Sequence, residues 1–183
     1  MSGLPGRDRD GGYGWISITL HWLTAVAIFA LLYVGDSISV GGDATLRTHT
    51  TIAACAWILL AARIAWRVVE GHPPPLGRAG WTSRLGEVTH WALLAAVGLM
   101  LVSGPLAALS HEAGLRIFGL TLHGPWPHRP ALAISAAAHG VGAFTLVWGV
   151  VLHVAGVGWH LVVKRDGLFD RIMVPPRRPP IEN

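Results

Sequence analysis

Ten histidines stand in a chain of 183 residues that is otherwise poor in ionisable groups. Imidazole can shuttle protons or ligate a metal through either ring nitrogen. His139 and His153 share the stretch HGVGAFTLVWGVVLH, inside the longest uncharged run of the chain, between Arg129 and Lys164. As helix, the fourteen residues between them advance about 21 Å and complete almost four turns. The two rings therefore leave one face of the helix at two depths. His21 lies near the start of the first long apolar run, and His49 near the start of the second. In an up-and-down bundle, His21 shares a level with His153, and His49 with His139. Ionisable groups in an apolar span are costly and mark function. Two imidazoles from different helices at each level suit a planar cofactor held through two axial nitrogens. This predicts two haems b, with His49 and His139 on one iron and His21 and His153 on the other. His90 and His160 stand near the His21/His153 level and are alternative ligands there. A histidine-lined transporter would instead gather its histidines at one depth near the midplane.

The elements that position these residues follow from composition. The chain is 52% hydrophobic and 13% charged, well beyond the balance of a soluble domain. The apolar residues fall into four runs, residues 17–35, 48–66, 88–109 and 131–163; the first three are about the length of a membrane span, and the last is longer than one span requires, so its ends must protrude or the helix must tilt. The expected fold is all-α, a transmembrane four-helix bundle forming a single domain over residues 1–183. The Gly104-Pro105 pair is expected to kink or end the third helix. The first run contains His21 and lacks a small-residue cleavage site, so it reads as a span and not as a signal peptide. A lone cysteine, Cys55, excludes an intramolecular disulfide and covalent haem attachment through C-x-x-C-H. Eleven of the fourteen Lys and Arg residues fall on the side that holds both termini, against Arg47, Arg116 and Arg129 on the other. The positive-inside rule then places both termini in the cytoplasm of a multi-pass inner (plasma) membrane protein. The net charge of +4 is topological and carries no nucleic-acid signature. The Pro-rich tail, residues 172–183, reads as unstructured.

Several further residues bear on such a site. Gly142, Gly149 and Gly156 repeat every seven residues beside the histidine face, where they admit either a flat porphyrin or a close helix. Ser17 and Ser135 precede His21 and His139 by one turn. They are candidates to orient the ligands or to back-bond to their own helices. Arg63 and Arg67 share one face of the second span and are candidates for haem propionates or for lipid headgroups. His90, His160 and Glu87 are candidate proton sources for a quinone at the inner level. His72, His111, His123 and His128 lie in loops and read first as solvated.

Taken in order, these motifs resemble the prokaryotic cytochrome b561 family over nearly the whole chain. SITLHWL is similar to its first-span motif, and RIAWR with the Pro-rich loop to its inner connection. LGEVTHWALLAAVGLMLVSG is similar to the third span, and IFGLTL to an outer-loop motif. HGVGAFTLVWGVVLH followed by KRDGLFDRIM is similar to the fourth span and its exit. The resemblance implies a di-haem b membrane cytochrome ligated by His21, His49, His139 and His153. Members of that family include superoxide oxidases, which pass the electron of superoxide to ubiquinone. Wider relatives are haem subunits that relay electrons for periplasmic hydrogenases or other dehydrogenases. The short chain favours the superoxide:quinone oxidoreductase reading, with ubiquinone as acceptor. Arg47, Arg116 and Arg129 are then the candidates for steering superoxide at the outer face, and membrane lipid is the surrounding partner. Asp36, Asp43 and Glu112 stand among these arginines, so the outer face is of mixed charge.

Overall fold

The structure, a computed structural model, describes residues 6–8, 12–71, 73, 80–111, 114–124 and 129–174, apart from the Arg129 side chain. His72, Glu112, His128 and the tail beyond residue 174 lie outside the described residues. Four long helices carry the chain: α1 (Trp15–Asp36), α2 (Ile38–Glu70), α3 (Trp81–Ser110) and α4 (Arg129–Trp159). A π turn, His160–Lys164, continues α4, and a short α5 (Asp170–Met173) follows. Each long helix is apolar and long enough to cross a membrane. The first three helices enclose the expected runs and extend past them, because polar flanking residues continue a helix that hydropathy alone does not reveal; the fourth run, 131–163, is covered by α4 together with the π turn.

Local chemistry sets the ends. Ser37 alone separates α1 from α2, and Gly42 breaks the first turn of α2 with φ +58°. Gly71 ends α2 at φ +69° and donates its N–H to the Arg67 carbonyl. Ser83 caps α3 by accepting from the Gly80 N–H at 2.9 Å. Pro105 does not end α3, which continues to Ser110. Proline lacks the N–H that would satisfy the Leu101 carbonyl one turn back. The indole N–H of Trp57 on α2 donates to that carbonyl at 3.2 Å.

An antiparallel hairpin, β1 (Leu115–Ile117) with β2 (Leu120–Leu122), replaces what reads as a plain outer loop. Its two-residue turn uses Phe118 and Gly119 at φ +49° and +82°, the left-handed pair that tight hairpins need. Thr50 on α2 fastens the hairpin by donating to the Arg116 carbonyl at 2.9 Å.

The bundle is built as two helical hairpins. α1 packs along α2, and α3 packs more extensively along α4. The pairs meet mainly through α2 and α3, while α1 and α4 scarcely approach each other. A small core of Ala56, Leu60, Ala96, Val97 and Leu146 closes the middle. The glycine stripe serves the α3–α4 contact. A Cβ on Gly142 would stand 2.7 Å from the Met100 sulfur, and one on Gly149 would stand 2.8 Å from Leu93. Gly156 faces open space.

Candidate functional site: two histidine pairs across the bundle

The hairpin arrangement leaves a slot between α1–α2 on one side and α4 on the other. His21 and His49 enter it from α1 and α2, and His153 and His139 from α4. At the outer level the His49 and His139 ring centroids lie 6.3 Å apart with planes at 82°. At the inner level the His21 and His153 centroids lie 6.1 Å apart with planes at 60°. A metal bound by two imidazoles at about 2 Å each, with each ring centre about 1 Å behind its nitrogen, separates the centroids by roughly 6 Å. The centroid spacing of both pairs matches that separation. His90 on α3 lies 5.0 Å from His153, closer than that spacing allows. His160 turns away from the slot and binds Asp166 through Nδ1 at 2.6 Å. No group of three or more His, Cys, Asp or Glu gathers as a conventional metal site among the described residues.

Bare backbone seats the outer rings. A Cβ on Gly35 of α1 would lie 3.3 Å from Cε1 of His49, and one on Gly104 of α3 would lie 3.1 Å from Cε1 of His139. Nδ1 of His139 lies 3.2 Å from the Ser103 hydroxyl. Nδ1 of His49 is buried and makes no hydrogen bond of normal geometry. Ser135 is bonded back to the Ala131 and Leu132 carbonyls and does not orient His139. Ser17 accepts from the Trp66 indole at 2.7 Å and does not bond to His21.

The two inner arginines have different partners. Arg63 Nη2 lies 3.5 Å from His21 Nδ1, and Nη1 donates to the Ser17 carbonyl at 3.3 Å. Among the described residues it has no carboxylate partner. Arg67 is buried. It pairs with Asp8 at 3.1 Å, donates to the Gly71 carbonyl and lies 5.1 Å above the Tyr13 ring. Burial pushes the Tyr13 phenol above its ordinary value, against the pull of the Arg67 cation.

At the outer face Arg47 and Arg116 line one cleft of about 210 Å³ with Thr51, Thr121 and the hairpin tip. Arg116 and Thr121 are cross-strand partners in the hairpin. Arg129 heads α4, with its side chain outside the described residues. His111, His123 and Glu87 are exposed, as is Cys55. Sequence reasoning missed Ser103, the Asp8–Arg67 pair and the Trp57 bond, because each joins residues far apart in the chain.

An apolar four-helix bundle with paired histidines at two depths defines a membrane cytochrome of the b type. The family model for prokaryotic cytochrome b561 matches residues 12–175, and the chain belongs to that family. It is 27% identical over 179 residues to cytochrome b561 homolog 2 of Escherichia coli (strain K12), covering 88% of this chain and 90% of that one. The protein is accordingly a membrane electron-transfer protein of a family that binds haem b.

Proposed function

We propose that the protein oxidises superoxide at the periplasmic face of the bacterial inner membrane and reduces ubiquinone within it, with both termini in the cytoplasm. The observation that carries the reading is the pair of histidine couples at two depths, each spaced for one iron. His49 with His139, and His21 with His153, are the ligands of two haems b. Bound there, haem supplies a one-electron centre at each depth. The chain does the rest. Four imidazoles fix the centres along the membrane normal, and the apolar helices exclude water. Arg63, a cation beside His21 without a carboxylate partner, is the propionate contact of choice. The Arg47/Arg116 cleft attracts a small anion, with Arg129 nearby in sequence at the head of α4. Two superoxide anions each give up one electron and leave as dioxygen. One ubiquinone takes up the two electrons and two protons.

Long-range attraction of an anion is screened within about 8 Å at physiological ionic strength. The rate at which pulsed superoxide reduces the purified protein should therefore fall as salt rises. Replacing Arg47 and Arg116 with Gln should slow it and flatten that dependence. Added ubiquinone should reoxidise the protein. If superoxide leaves the protein oxidised while a periplasmic hydrogenase or other dehydrogenase reduces it, the chain is a relay subunit and this reading fails.

A further inference from the structure

We propose that Ser103 is a positioning residue for the outer site: its hydroxyl oxygen accepts the Nδ1 proton of His139 and holds Nε2 toward His49. The inference rests on the haem reading above. Ser103 is 3% exposed on α3, facing α4. Its Oγ lies 2.7 Å from the Leu99 carbonyl and 3.2 Å from His139 Nδ1. A hydroxyl carries one proton, and a carbonyl offers none. The shorter bond to Leu99 therefore takes the hydroxyl proton, and only lone pairs face His139. Nδ1 must be the donor. A neutral imidazole carries one ring proton, so Nε2 is left as a bare lone pair, the form that ligates a metal.

The next residue makes room for this contact. Gly104 brings its Cα so near the His139 ring that a Cβ would stand 3.1 Å from Cε1 and 3.4 Å from Nδ1. Ser103 and Gly104 together give the ring a hydrogen bond and a backbone seat. His49, across the slot, has the seat at Gly35, and no hydrogen bond of normal geometry reaches its Nδ1. The outer pair is thus asymmetric, with one ring fixed by a hydroxyl and the other by packing. An acceptor on Nδ1–H raises the basicity of Nε2. A more basic ligand favours the ferric state, so Ser103 should hold the outer midpoint potential down.

The test is a redox titration of the full-length haem-loaded protein, with the His49→Ala variant identifying the outer transition. Ser103→Ala should shift the outer transition to more positive potential and leave the inner one in place. Ser103→Thr, which keeps the hydroxyl, should restore the wild-type value. The outer low-spin electron paramagnetic resonance signal, which reports the angle between the imidazole planes, should change in Ser103→Ala and recover in Ser103→Thr. Should Ser103→Ala shed the outer haem, retention of both haems at wild-type potentials in Ser103→Thr supports the proposal, and loss in Ser103→Thr as well overturns it. Two haems with unchanged potentials and signals in Ser103→Ala overturn the role of Ser103 and leave the haem reading standing. A wild type that binds no haem overturns both.

Discussion

Arg63 and Arg67 lie one turn apart on α2, yet Arg63 stands beside His21 while Arg67 pairs with a buried carboxylate. The difference lies in what the N-terminal segment brings to them. Asp8 reaches under the bundle, accepts the Gly14 N–H at 2.9 Å and meets Arg67 at 3.1 Å, with both side chains buried. Removing one partner of a buried ion pair leaves an uncompensated charge and costs roughly 3–5 kcal/mol. Asp8→Asn should cost about 3 kcal/mol, the lower end of that range, because Gly71 and Tyr13 still hold Arg67. Unfolding in detergent with denaturant measures this, and an unchanged midpoint would show that the pair is not structural. The sequence shows two arginines on one face but not which one Asp8 would take, since 59 residues separate the pair. The four slot histidines were legible for the opposite reason. Their depth follows from position within an apolar run, and their common face from helical periodicity. Ser103 was not legible, because its partner sits 36 residues away on another helix. The serine one turn before His139, the local candidate, bonds to its own backbone instead.

At the scale of the element, α3 shows how a helix survives an internal proline. Pro105 frees the Leu101 carbonyl, and Trp57 supplies the missing donor from α2. Losing that bond should cost about 1 kcal/mol, the net worth of a typical intramolecular hydrogen bond. Trp57→Phe should therefore lower stability by that amount in the native background. In a Pro105→Ala background, residue 105 regains an N–H and Trp57→Phe should cost less. A double-mutant cycle measured by unfolding in detergent tests the coupling, and equal costs in both backgrounds would contradict it. The spans themselves were readable from hydropathy, because twenty apolar residues in a row have few other stable fates. Their ends were not, since Gly42, Gly71 and the polar turns around them are governed by capping and backbone freedom. The hairpin escaped notice as well. Its strands are three residues each, and its turn pair is Phe-Gly, a weaker sign than Asn-Gly.

For the whole molecule, the decisive property is that two helical hairpins close at the middle and leave α1 and α4 apart. Across this slot, histidines from α1 and α2 face histidines from α4 with ring centroids about 6 Å apart. Leu146, midway between His139 and His153 on α4, packs in the core with Leu60 and Val97 and so stands between the two levels. His49→Ala or His139→Ala should thus remove one haem and leave the other with its spectrum intact. Loss of both from a stably folded variant would contradict separate sites. The central claim is that each chain holds two bis-histidine haems b. Iron and pyridine-haemochrome quantitation on the purified, detergent-solubilised protein tests it most directly. The expected result is two haems per polypeptide with a low-spin spectrum in both oxidation states. A folded preparation with one haem, or with none, would contradict it.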